Sequence, residues 1–394
     1  MANNALIIRD LRESINCDYN EVSADVDGDR VFFRAPLQFK LECRAEPFLG
    51  IALFEAMIRN VDIRIEDSIP ISERLCKILP EIQTIYTCWN SDFHKVNIHL
   101  HKVNIHTRIE PFKDAYERVA SFYSAGVDSS YTLLRNITEI THLIMLSAFE
   151  VRGNTPESWR QMVEKQTVFT RTIGKELIPI ENNVRLWTDQ RKLPWRWAQG
   201  FILQSMGPLL KSKRIYIASS YRYNVFALHP LTDPMWSTES TEVIHDGAGF
   251  RRSEKLRDLC KNQNFLDNLK VCWRSEHDNC GECPKCVRTM LALYLLGAKS
   301  QALPKLDSLT KLKKLQPKDL GGAPYLGDLM ILAEDVGNRT AQRILRRSYL
   351  RYQIRIQMKQ IIKMLDRYML GGILLRIYRR VRKPDELKMR VTLR

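Results

Sequence analysis

The sequence predicts an α/β protein, a parallel sheet with helices on both faces. Three observations predict it. Short apolar runs of strand length recur between Val119 and Ser220. Segments with helical spacing of apolar residues separate them. The first run ends in a turn of small residues, Ser124 to Ser130, directly ahead of a helix. Strands that alternate with helices pair in parallel and are covered on both faces. Ligands of such sheets sit at the carboxyl ends of the strands.

Ahead of that region, residues 31–44 alternate after Pro36. Leu37, Phe39, Leu41 and Cys43 fall on one side, and Gln38, Lys40, Glu42 and Arg44 on the other, which predicts a half-buried strand. Residues 48–60 and 69–79 predict two helices, and Gln83 to Trp89 a further strand. Residues 1–115 thus read as a small N-terminal α+β domain. It ends in a tandem heptad, His94 to Thr107, that holds His94, His99, His101 and His106. No Asp, Glu or Cys is interleaved, so a strand with histidines on its wet face is favoured over a metal site.

Residues 116–300 form the predicted α/β domain. Its strands are 119–124, 141–149, 176–180 and 214–220. Its helices start near Ser129, at Pro156 and at Pro194, and Gly174 closes the second. Residues 301–337 read as a linker and helix, and 338–394 as a basic helical tail.

With 44% apolar and 27% charged residues the composition is that of a soluble globular chain. No run approaches the roughly 18 apolar residues of a membrane-spanning helix. The N-terminus lacks a basic n-region, so the expected location is cytoplasmic, with a peripheral place at the inner membrane surface open to the tail. In that compartment the nine cysteines point to metal binding rather than disulfides.

The turn Ser124, Ala125, Gly126, Val127, Asp128, Ser129 and Ser130 has the chemistry of a phosphate cradle. A strand-to-helix turn aims backbone N–H groups and the helix dipole at one point. Small residues let phosphates approach, and the hydroxyls of Ser124 and Ser129 can donate. Gly126 is free to take a positive φ. Asp128 either caps the helix or holds Mg²⁺ against the nucleotide. Neither the Walker loop nor the dinucleotide fingerprint is present.

Cys272, Cys280, Cys283 and Cys286 form two overlapping C-x-x-C turns with a fourth cysteine eight residues upstream. That set suits a tetrahedral Zn²⁺ whose four positions are all filled by protein, hence a structural ion. The other five cysteines are scattered and read as small core residues.

This loop resembles the S-G-G-x-D-S loop of the PP-loop ATP pyrophosphatases, with Ala125 in place of the first glycine. The resemblance implies an adenine nucleotide alpha-hydrolase-like fold and cleavage of ATP to AMP and pyrophosphate. With the cysteine knuckle after it, the region from Val119 to Gly297 is similar to the 7-cyano-7-deazaguanine synthase group. That group adenylates a carboxylate and attacks it with ammonia, and its relatives include members of anti-phage and surface-glycan gene neighbourhoods. The resemblance implies ATP, Mg²⁺ and Zn²⁺ as cofactors. It also implies that an acidic residue after the fourth strand, here Asp233, helps bind substrate. His245 or Glu239 in the same polar segment is a candidate general base for an incoming amine. Two other expectations are sulfur transfer to tRNA, which needs a reactive cysteine pair, and a non-catalytic nucleotide sensor in a larger complex.

The net charge is +16, of which +14 lies in residues 339–394. Ile354, Met358, Ile361, Ile362 and Leu365 share a stripe there, with Arg351, Arg355, Lys359 and Lys363 elsewhere. The tail is expected to meet an anionic membrane surface, RNA phosphates, or the body of the protein itself. The remaining partner expectations are an unidentified acceptor (small molecule, protein or nucleic acid) and a second copy in a homodimer.

Overall fold

The computed structural model describes residues 5–66, 69–100, 117–147, 155–220, 228–272, 274–275, 278–317, 322–369 and 373. The chain divides into two compact units at Gly249/Phe250.

The first unit is built on β1 (Leu6–Ile15), β2 (Tyr19–Val26), β3 (Asp29–Pro36), α1 (Glu46–Arg59), β4 (Ile63–Ile65), α2 (Glu73–Trp89) and β5 (Ile98–Leu100). It continues with β6 (Val119–Phe122), α3 (Val127–Arg135), β7 (His142–Leu146), α4 (Pro156–Thr172), β8 (Glu176–Asn182), α5 (Val184–Gln190), α6 (Trp195–Ser205), β9 (Arg214–Ala218) and β10 (Glu242–Asp246). Ten strands form one sheet in the order β10-β9-β6-β7-β8-β3-β2-β1-β4-β5. From β10 to β8 every pair is parallel. β8–β3, β3–β2 and β2–β1 are antiparallel, and β1–β4 and β4–β5 parallel again.

The four predicted parallel strands are present as β6 to β9. Their interiors are buried on both faces, as the continuous apolar runs require. The chain steps from β6 to β7 and β8 on one side, then returns to lay β9 and β10 on the other. The gap between β6 and β9 is therefore the switch point of the sheet. Successive strand residues point to opposite faces. On β10, Asp246 accepts a hydrogen bond from Thr132 of α3, while His245 meets Asp233, which Gln204 of α6 also contacts. Helices α3 and α6 thus cover opposite faces.

Three local expectations differ from the structure. The predicted strand 31–44 stops at Pro36, where Phe39 N–H closes a turn onto the Pro36 carbonyl. Beyond it the buried Asn20 side chain takes the Phe39 carbonyl and the Leu41 N–H, so alternation continues without a ladder. The predicted strand 83–89 belongs instead to α2, which runs through Pro80. Leu75, Leu79, Ile82 and Tyr86 are buried at helical spacing across that proline, and their packing outweighs the lost backbone bond. The polar segment after β9 contains a fifth parallel strand, β10. In the tandem heptad, His99 of β5 sits at the surface with Nε2 3.0 Å from Asp62 Oδ2, while His101 and His106 lie outside the described residues.

The strands before residue 115 and those after it share one sheet and one apolar core, so the compact boundary falls at 249 instead. Helices α1 and α6 pack closely because Gly50 has no side chain there. A Cβ would stand 2.3 Å from Ser205 Oγ and 2.6 Å from the Phe201 carbonyl oxygen.

The second unit holds α7 (Arg252–Leu259), α8 (Gln263–Asp267), α9 (Pro284–Leu295), α10 (Ala323–Asp335) and α11 (Arg339–Met369). The cysteine knuckle lies in this unit, beginning after α8 and ending in the first turn of α9. The Asn338 side chain accepts from Ala341 N–H at the start of α11.

Candidate phosphate-binding turn and metal centre

The turn Ser124–Ser130 leaves the carboxyl end of β6, at the switch point of the sheet. Tyr123 N–H still bonds the Ile144 carbonyl of β7 at 2.8 Å, which pins the turn's entry. Ser129 then folds it. Its hydroxyl donates to the Gly126 carbonyl (3.2 Å) and accepts from Ser124 N–H (3.2 Å), with Ser124 Oγ 3.4 Å away. Ser129 therefore shapes the turn from within. Ser130 N–H makes the first intrahelical bond, to the Gly126 carbonyl at 2.9 Å. The N–H groups of Val127 and Ser129 precede it and so have no carbonyl within the helix to meet.

The backbone assigns its roles differently from the sequence reading. Gly126 is the residue before the helix and is extended, with φ −76° and ψ 167°. Ala125 is the one in the left-handed region, with φ 55°, and is 1% exposed. Asp128 is not the cap. It is the second residue of α3, buried to 9% exposure in the first turn, where the helix dipole favours a negative charge.

Asp246, in the polar segment after β9, closes β10 at the same end of the sheet. Thr132 donates to it at 2.8 Å and Arg135 pairs with it at 3.5 Å. Its signal in the sequence was a carboxylate two residues after the short apolar pair Val243 and Ile244.

The expected substrate-binding acid, Asp233, and the two candidate bases, His245 and Glu239, do not come together at one site. Asp233 and His245 meet, with Oδ2 2.6 Å from Nδ1. Asp233 is 0% exposed, and its other oxygen accepts from Gln204 Nε2 (2.6 Å) and His229 N–H (2.9 Å). Tyr86 extends the network to Gln204, and burial pushes its phenol up. This pair lies beneath the sheet, on the face opposite α3. Glu239 is elsewhere. It precedes β10 by three residues, at the amino end of the strands. It accepts from Arg74 N–H at 2.7 Å and lines an open cleft with Arg74, Lys77 and Met235. Burial raises its carboxyl, but hydrogen bonds from the Ser72 hydroxyl and Arg74 N–H outweigh that and hold it below its ordinary value.

In the second unit, the Sγ atoms of Cys272, Cys280, Cys283 and Cys286 all lie within 4.8 Å of one another. Three of the separations are 3.9, 3.9 and 3.5 Å. A tetrahedron of sulfurs about 2.3 Å from zinc has edges of about 3.8 Å. The four cysteines could therefore hold a zinc ion.

Backbone N–H groups aim at the sulfurs as thiolate stabilisation requires: Arg274 and Ser275 to Cys272, Glu282 and Cys283 to Cys280, Cys286 to Cys283. Burial pushes the Cys272 thiol up, and the hydrogen bonds from Cys280, Ser275 and Arg274 outweigh this and bring it down to about 6. Gly281 supplies the left-handed turn at φ 66°, and a Cβ there would stand 2.9 Å from Pro304 Cγ.

Asn279 is the organiser the spacing did not disclose. Its oxygen accepts from Val271 and Cys272 N–H, and its nitrogen donates to the Leu269 and Ala302 carbonyls.

No protein-family profile, curated protein or solved structure matches the chain.

Proposed function

We propose that the chain is an ATP-dependent adenylating enzyme, a divergent relative of the PP-loop pyrophosphatases, that activates a carboxylate or carbonyl oxygen for attack by ammonia or an amine. The observation that supports this reading is the place of the Ser124–Ser130 turn. It follows the first of five parallel strands, opens a helix, and lies where a sheet of this order receives ligands.

In this reading the N–H groups of Val127 and Ser129 and the Ser124 hydroxyl bind the pyrophosphate end of ATP. Asp128 holds Mg²⁺ against it. The acceptor oxygen attacks the α-phosphorus, the bond to the bridging oxygen breaks, and pyrophosphate leaves with that electron pair. The amine then attacks the activated carbon and AMP departs. Asp233 and His245 support the sheet beneath the site, and Glu239 at the far end takes no part. Burial pushes Cys43 up, Cys76 up to about 12 and Cys260 up to about 11, away from thiolate reactivity, which disfavours these three as sulfur carriers. The zinc of the second unit would be structural.

The test is pyrophosphate release from ATP and Mg²⁺ with fractions of a cell extract supplying the acceptor. The reading expects a burst that depends on one fraction and falls at least about 100-fold in Asp128→Asn. ATP binding without pyrophosphate in any fraction overturns it in favour of a nucleotide sensor.

A further inference from the structure

We propose that α11 lies on an anionic lipid bilayer, with its outer face as the contact. The helix is apolar on two sides, one buried along its first half and one exposed along its second. Ala341, Leu345, Ser348 and Tyr352, at helical spacing, are buried at 0%, 0%, 4% and 6% exposure, and Asp366 on the same side at 2%. A second side carries Leu350, Ile354, Met358, Ile361 and Leu365, with Ile362 at its edge, and it faces outward. Exposure there runs from 46% at Ile361 to 58% at Ile354. From Leu350 to Met369 this face is about 30 Å long. Exposed apolar surface of that extent marks a contact site.

The charges choose the occupant. The helix holds nine Lys and Arg and a single acid, Asp366, which is turned inward. A second copy of the helix would bring like charges together along the stripe, whereas self-pairing helices carry both signs beside their apolar seam. RNA would engage the cations but would leave aliphatic Ile, Leu and Met without a stacking role. An anionic bilayer satisfies both. The stripe enters the acyl boundary, and Arg346, Arg351 and Arg355 at its margins reach the headgroups on long stems. Among the described residues no helix is long and apolar enough to cross a membrane, so the contact is along the surface.

The test is flotation of the full chain with vesicles of phosphatidylcholine alone or with about one-third phosphatidylglycerol. Binding is expected to be at least about tenfold stronger to the anionic vesicles and to weaken as salt rises. The double variant Ile361→Gln/Ile362→Gln is expected to lose about tenfold or more, while Ile361→Leu/Ile362→Leu retains binding. Equal affinity for both vesicles, or anionic binding that the glutamine variant leaves intact, overturns the proposal. A single-stranded RNA shift or a self-association that the glutamine variant abolishes overturns it in favour of that partner.

Discussion

Ala125 and Gly126 have exchanged the conformations their side chains favour: the alanine is left-handed at φ 55° and the glycine beside it extended at φ −76°. A left-handed alanine costs about 1–2 kcal/mol, partly offset because glycine loses more entropy on folding. Ala125→Gly is therefore expected to stabilise the protein by about 0.5–1 kcal/mol, a rise of about 2 °C in melting temperature. Thermal unfolding checks it. If the turn binds nucleotide, the same change should tighten that binding slightly, since the turn's conformation is unchanged and only its strain is relieved.

The Asp233–His245 pair should behave as structure. Removing one partner of a buried, hydrogen-bonded pair leaves the other uncompensated, so Asp233→Ala is expected to cost about 3–5 kcal/mol in urea unfolding. In the fraction that remains folded at low temperature, nucleotide affinity should be close to that of the parent. A large loss of affinity with parental stability would show that the pair acts on ligand directly.

Glu239 offers the complementary case. Its carboxyl is held below its ordinary value, so the charged form is favoured by folding. That contribution is present above the ordinary carboxylate range and is lost as pH falls through the lowered folded value. Glu239→Gln should flatten this acid-side dependence, cost about 1 kcal/mol at neutral pH, and leave pyrophosphate release unchanged. The check is unfolding at several pH values beside the activity assay.

How much of this was legible depends on where the folding information resides. The strands β6 to β9 are buried on both faces, so each announces itself as an unbroken apolar run. β10 is an edge strand of five residues whose Glu242, His245 and Asp246 are polar for reasons of partnership, and it left no such run. In α2, the run from Gln83 to Trp89 suggested a strand, yet the helix is dictated by what Leu79 and Tyr86 pack against, which is tertiary. The separation of Glu239 from His245 follows from the place of β10, since Glu239 precedes the strand by three residues and His245 is its fourth residue. The cysteine spacing was legible because all four ligands are close in sequence, whereas Asn279 acts through backbone groups that carry no signature.

The metal centre predicts one zinc per chain, measurable by elemental analysis, and its loss in Cys283→Ser. Because binding to a folded thiolate set is coupled to folding, a strong chelator should lower the unfolding transition of the second unit. Asn279→Ala should weaken zinc retention about tenfold while leaving the four sulfurs in place, as loss of an orienting partner does. The first unit gives an internal control, since its turn and sheet contain none of the four ligands.

The close approach of α1 and α6 ties the first 115 residues to the parallel strands. Arg191, in the turn after α5, strengthens the tie, pairing with Glu55 of α1 at 3.1 Å and with Asp29 of β3. Gly50→Ala would force a methyl group against the Phe201 carbonyl oxygen and Ser205 Oγ, an overpacking expected to cost about 2–3 kcal/mol. Ser205→Ala should recover part of that loss, because it removes the nearest contact but leaves the Phe201 carbonyl oxygen at 2.6 Å and the Ser205 Cβ at 2.8 Å. The coupling of the two changes in a double-mutant cycle measures how far the helices move apart. By the same packing, a chain beginning at residue 117 should fail to fold, because its core would lose the buried side of β3, α1 and α2. A soluble, cooperatively unfolding product would show that residues 1–115 fold apart from the rest.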